Sequence, residues 1–302
     1  MSHPTMPQGS AVGGVARANG ICMLAMIAWA IGFPASEVLL ETWDPLALIA
    51  ARLAMAVTVL VPIWALIDGP RAVLFARWRR GTLVGGIGFG LGTYLLLLGQ
   101  SLSDPVLVAI IASSMPVAAA FLEVTLDGRR LTRTFIAGIS VSVLGGAVAT
   151  ASGQGGISGV GMGALAALGS AFLFAWGSRA AVKDFPELTS LGQTTITLGG
   201  GLVFTAVAFL FAQALGQSAV PQGINAHQIT MLAIYALGAM ALSQVLWIIG
   251  VGRLGVAVAS LHINTAPFYV MLILFALGAP WNSMQALGAG AVAFGVFLAQ
   301  RR

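Results

Sequence analysis

The stretch Ser113-Ser114-Met115-Pro116 lies in the middle of the fourth long apolar run of the chain. A proline at that place has no N–H to donate, so the carbonyl of Ala112 loses its helical partner and the helix bends. In lipid, a freed carbonyl costs several kcal/mol unless protein or trapped water satisfies it. This backbone is therefore expected to face protein or a wet cavity. The same arrangement returns 151 positions later as Asn264-Thr265-Ala266-Pro267. Both copies set polar side chains three and two residues before a proline in mid-run. A chain that repeats a kinked polar centre at half its length reads as two similar halves meeting at one site.

The solvent of this chain follows from its charge. Apolar residues make up 58% of the 302 positions and charged ones 8%, against roughly 45–50% and 25% in soluble domains. So little charge cannot cover a water-facing surface, and the bilayer becomes the expected partner. Cys22 is the only cysteine, which excludes an intramolecular disulfide and a cysteine metal cluster. Lys183 is the only lysine and lies in no phosphate-loop motif, so ATP hydrolysis at a Walker-type site is excluded. No catalytic residue, metal, cofactor or nucleic-acid partner is expected.

Ten runs reach the roughly 20 residues that a helix needs to cross the hydrocarbon. They cover 18–40, 45–67, 82–100, 105–123, 133–151, 159–182, 188–214, 229–250, 255–278 and 281–300, after a mobile N-terminal stretch over 1–17. Of the 14 Lys and Arg, every one except Arg52 falls in alternate loops or at the ends. Basic loops favour the cytoplasmic side, which places both termini there and predicts an inner-membrane protein. Five runs per half is an odd number. The halves 18–152 and 153–302 are thus expected to be inverted five-helix repeats around a central cavity. Gly99 and Gly250 match at the same offset of 151, and Gly138 and Gly145 match Gly288 and Gly295 at 150. Ala28-Trp29 is echoed by Ala175-Trp176. Chance alignment among glycine-rich helices is the competing explanation.

The candidate substrate-binding residues are Ser113, Ser114, Asn264, Thr265, His262, Trp29, Trp176, Tyr94, Gln244 and Arg52, with Pro116 and Pro267 as hinges. Each has a plainer reading. The hydroxyl and amide groups beside the prolines could bond back to freed carbonyls and ease the kinks. His262 could carry a proton or sit as a neutral, hydrogen-bonded imidazole. Arg52, seven residues inside the second run, either pairs with Glu37, Glu41 or Asp44 or meets a substrate carboxylate. The mid-run Trp29 and Trp176 are cavity walls or packing. Trp43, Trp78 and Trp281, at run ends, are expected as interface anchors. Gly156-Ile157-Ser158-Gly159 matches a short motif of intramembrane serine proteases, without base or oxyanion geometry to support it.

Several of these motifs, taken in order, resemble the drug/metabolite transporter superfamily in its ten-span form of two EamA-type halves. They are Ala28-Trp29, Ala175-Trp176-Gly177, Asp44-Pro45 followed by Ala51-Arg52, the two mid-run prolines, and a Gly-x6-Gly in each fifth run. Within it the chain is most similar to the bacterial exporters of aromatic and other amino acids. The resemblance implies a monomeric secondary transporter that exports small metabolites through a cavity open alternately to each side. A cavity of Ser, Asn, Thr, Gln, Tyr and Trp with few fixed charges suits a zwitterion or a neutral metabolite. Lipophilic cations would require a deep carboxylate, and Glu37 lies near the outer end of its run.

Overall fold

The computed structural model describes residues 8–102, 115–151, 162–278, 280–281 and 283–300. Ser113, Ser114 and the Gly156–Gly159 motif lie outside them. Among the described residues the structure is helical, with no strand. Helix α1 (Gln8–Ala30) runs through a break at Ile31 into α2 (Gly32–Leu40). Helix α3 (Pro45–Asp68) and the short α4 (Pro70–Leu74) follow. Next come α5 (Trp78–Gly85), a π-helical segment (Gly86–Leu91) and α6 (Gly92–Leu102) as one continuous rod. Helices α7 (Met115–Asp127) and α8 (Arg133–Ala151) complete the first half.

The second half begins with α9 (Met162–Lys183) and α10 (Ser190–Ala214). Helix α11 (Ala226–Ala233) passes through a second π segment (Ile234–Leu242) into α12 (Ser243–Leu254). Helix α13 (Val256–Ser260), a 3-10 turn (Leu261–Thr265) and α14 (Ala266–Ala276) form the next rod, and α15 (Ser283–Gln300) is last. Among the described residues six stretches are long and apolar enough to cross a membrane: Gly14–Leu40, Pro45–Asp68, Leu165–Lys183, Ser190–Ala214, Ala226–Leu254 and Val256–Ala276. Helices α8 and α15 contribute shorter apolar stretches, Arg133–Leu144 and Ala286–Ala299.

Local chemistry sets the helix starts. Asp44 has extended backbone and accepts the N–H groups of Leu46 and Ala47 at 3.0 and 3.2 Å. Pro45 fills the first helical position, where no N–H is needed. The Asp44-Pro45 pair is thus an N-cap. Thr189 caps α10 through Gly192 N–H, and Asn225 with Gln228 forms a capping box on α11.

Small residues decide which helices touch, since in lipid backbones associate by close van der Waals approach. A Cβ at Gly88 would strike Gly177, and one at Gly85 or Gly81 would strike Thr197 or Ile196 on α10. A Cβ at Gly138 would strike Ala299, while Gly295 lies against Gly138 and Ser142, so α8 and α15 are fastened face to face. The two glycines matched at offset 151 play matching parts. Gly99 packs on α9 at Gly163 and Ala167, and Gly250 packs on Cys22 of α1. Helix α6 thus meets α9, α12 meets α1, and α7 packs on α13. The first π segment, moved by 151 positions, falls on Leu237–Leu242, inside the second.

Ion pairs gather at one end of the bundle. Arg77 pairs with Glu187 and Arg80 with Asp184, joining the loop after α4 to the loop after α9. Arg179 holds Asp127 with two bonds, 2.9 and 2.5 Å. At the other end Gln228 donates to Thr42 at 2.7 Å, and Ser218 to Asp44. One tryptophan departs from its expected place. Trp43 is no exposed interface anchor: it is buried against Leu39, Leu48 and Leu232. The chain turns back into α3 directly beneath it, so the ring is covered by its own hairpin and by α11.

Candidate functional site

The break before Pro267 is where backbone and side-chain chemistry meet. Pro267 cannot serve the carbonyl of Ile263, and that oxygen accepts Ala266 N–H instead, three residues on. The helix tightens into the 3-10 turn Leu261–Thr265 as a result. Within this turn the polar side chains divide into two kinds. Thr265 bonds back to the carbonyl of His262 at 2.6 Å, and Ser260 to that of Ala257 at 2.9 Å. The His262 ring places Nδ1 3.2 Å from the carbonyl of Ala259. A carbonyl only accepts, so Nδ1 carries the proton there and Nε2 is left as the acceptor. These three groups ease the kink.

Asn264 does something different. It is 1% exposed, and its amide nitrogen donates across to Ser142 of α8 at 3.1 Å. Its Oδ1 is buried without a hydrogen-bond partner. An unsatisfied buried acceptor costs about 1–3 kcal/mol, a cost that a bound donor or an ordered water would remove. Six buried side-chain atoms among the described residues lack a partner, and three belong to sequence-chosen candidates: Asn264 Oδ1, Gln244 Nε2 and Arg52 Nε. The other three, Trp43 Nε1, Trp64 Nε1 and Thr194 Oγ1, belong to residues outside the candidate list.

One apolar cluster takes in Trp29 and lies beside Pro116. Trp29 and Tyr269 lean on the cluster that contains Met115, Ala118, Trp247 and Ala257. Trp29 also stacks edge-on to Phe33 at 5.1 Å. Trp247 donates its indole N–H to Ser178 of α9 at 2.9 Å, tying α12 to α9. Pro116 is buried on α7 beside the same cluster. The side chain of Pro267 lies outside the described ones.

Three candidates stand apart. Trp176 packs in a second cluster with Trp78, Val84 and Phe185. Tyr94 is 40% exposed on α6. Arg52, 7% exposed, lies in a third place, docked on the second π segment. Its guanidinium stacks over the Tyr235 ring at 3.9 Å and donates to the carbonyl of Ala239 at 3.3 Å. A π segment shifts its carbonyls off their usual partners, and Ala239 O serves both Arg52 and Ser243. No carboxylate pairs with Arg52 among the described side chains; that of Glu37 lies outside them.

Three residues that matter here escaped the sequence reading. Ser142 stands one turn beyond Gly138 on the face that α15 covers, so the Gly138/Gly145 repeat already marked its position. Tyr235 carried no such signal. Glu123 lies two turns beyond Pro116 on the same face of α7 and is 6% exposed. It pairs with Arg129 and accepts Ala257 N–H at 3.1 Å. Beside it a hollow of about 200 Å³ opens between Asp127, Arg179, Lys183 and Val256.

Apolar helices of membrane-crossing length, with buried polar atoms gathered between them, define a multi-pass membrane protein. Residues 17–151 match the EamA-like transporter family. The uncharacterized transporter YyaM of Bacillus subtilis (strain 168) is 33% identical over 122 residues, which is 40% of this chain and 38% of that protein. The matched stretch thus spans well under half of that relative's length. A crystal structure of a protein at 20% sequence identity superposes with a TM-score of 0.80, over 94% of this chain and 96% of that one. At that identity the likeness concerns the fold alone, and it extends through both halves.

Proposed function

We propose that the protein is a secondary transporter of the inner membrane, with both termini in the cytoplasm. It exports amino acids, aromatic and other neutral ones, or related small metabolites, and acts as a monomer by alternating access. The observation that carries this reading is Asn264, fully buried at a helix break, with one amide group committed to Ser142 and its oxygen unmet. A zwitterion's ammonium is a donor for that oxygen. The kinks at Pro116 and Pro267 let half-helices rock about this point, and Ser113 and Ser114 offer the matching polar groups from the other half. Trp29, Gln244 and His262 line the path; Arg52 is the group for a substrate carboxylate.

The reciprocal packing of α6 on α9 and α12 on α1, and the two π segments at one offset, support a reading as two inverted five-helix repeats, 18–152 and 153–302. The family match over residues 17–151 supports transport. In proteoliposomes, labelled amino acids are expected to exchange across the membrane. Asn264→Ala is expected to lower the rate roughly tenfold, as loss of one buried hydrogen bond would, at unchanged folded yield. Absence of exchange with every amino acid, together with efflux of a lipophilic cation, replaces this reading with export of cationic drugs or other toxic small molecules. Proteolysis lost in Ser158→Ala replaces it with a protease.

A further inference from the structure

A hollow lies away from the polar seam, a groove of about 500 Å³ between the α5–π rod and α10. Leu83 and Ile87 form one wall, Val203, Val207 and Phe211 the other, and Gly86 and Gly200 the floor. The wall side chains are exposed. Gly86 and Gly200 leave no side chain between the two helices there, and a Cβ at Gly86 would meet the Gly200 carbonyl at 3.5 Å. Along α10 it covers positions 200 to 211, roughly 16 Å at the helical rise. That is about half of a ~30 Å hydrocarbon core, the depth of one leaflet.

The charge at its mouth is uneven. Arg77 and Arg80 are consumed by Glu187 and Asp184. Arg79, exposed, makes no ion pair among the described residues. On a helix, positions 79, 82, 83 and 86 share one face, so Arg79 stands one turn before the first lining residues of α5. We infer that this groove is a binding site for one anionic phospholipid, an acyl chain lying between α5 and α10 and the headgroup phosphate meeting Arg79. An unpaired guanidinium at the membrane surface selects for an anionic headgroup, and the groove fixes the lipid in place rather than leaving it to exchange freely.

Native mass spectrometry of the delipidated protein, titrated with phosphatidylglycerol or phosphatidylcholine of equal chain length, tests this. One phosphatidylglycerol is expected to bind about fivefold more tightly than phosphatidylcholine, the worth of one basic group at a membrane surface. Arg79→Gln is expected to abolish the preference, and Arg71→Gln, an exposed control, to keep it. Val207→Trp, which fills the groove from its lipid side without touching the core, is expected to weaken both lipids. Equal binding of the two lipids to the unaltered protein overturns the proposal. So does a preference that survives Arg79→Gln, or unchanged binding to Val207→Trp.

Discussion

Glu123 of α7 accepts the amide N–H of Ala257 through Oε1 at 3.1 Å, although the residues are 134 positions apart. The contact fastens the feet of the two proline-bearing rods to each other. Gly255, at φ +79°, makes it possible: a Cβ there would lie 2.7 Å from the same carboxylate oxygen. Arg129 closes the other side of the carboxylate and stacks over Phe135 at 4.3 Å. Position 274, which corresponds to Glu123 at the offset of 151, is a leucine.

Removing this carboxylate leaves a buried N–H and a guanidinium unmet. Glu123→Ala is expected to destabilise the protein by about 1–3 kcal/mol. Glu123→Gln, which keeps an acceptor for Ala257, is expected to cost less. Thermal unfolding in detergent measures both. Alanine as stable as the parent would show that α7 and α13 hold together without the bond.

The Asp127 carboxyl is held below the usual carboxylate range, first by its hydrogen bonds from Arg179 and then by the charges of Arg179 and Lys183, against a desolvation effect of opposite sign. A lowered folded value means stability that is present above the unfolded value of about 3.9 and lost as pH falls through the folded one. Unfolding temperatures of the parent and Asp127→Asn are expected to differ at pH 7 and to converge below about pH 4. A gap that persists in acid would assign the effect to packing.

The helices α8 and α15 meet through glycine. Gly138→Val is expected to part them and to cost about 1–3 kcal/mol or more by overpacking, because the new side chain meets the backbone of Ala299. Gly290→Ala, on the open side of α15 with nothing within 4 Å, is expected to be neutral or stabilising by up to about 1 kcal/mol. Guanidine-free thermal scans of both variants decide this.

Arg52 is held by a plane as much as by a charge. Arg52→Lys keeps the cation but loses the stack on Tyr235, and is expected to lose about 1–2 kcal/mol of stability. If Arg52 receives a substrate carboxylate, the same variant raises KM for an amino acid and leaves transport of its decarboxylated amine unchanged. Equal effects on the two substrates would confine Arg52 to structure.

Several features were legible one residue at a time. The shortage of charge announced lipid as the solvent, and apolar runs marked where helices lie, because crossing a bilayer is a demand on each segment alone. Pro267 read as a break for the same local reason. Loop charges sorted the two ends, and the ion pairs Arg77–Glu187 and Arg179–Asp127 join loops placed together on that ground. Trp43 was misplaced because its burial depends on a hairpin closing over it, which no window of sequence contains.

What the chain of residues settled by itself is therefore its solvent, the apolar runs from which its helices form, and the polar break before Pro267. Each follows from backbone hydrogen bonding and transfer from water, which act within a few turns. The folded structure decided which polar groups find partners: Asn264 with Ser142 across 122 positions, Arg52 with Ala239 across 187, Glu123 with Ala257 across 134. It also separated Thr265, which turns back on its own helix, from Asn264, which does not. The two side chains are neighbours in sequence, but one residue of a 3-10 turn is about 120° of rotation, and only the packing of α8 determined which of them met a partner on another helix.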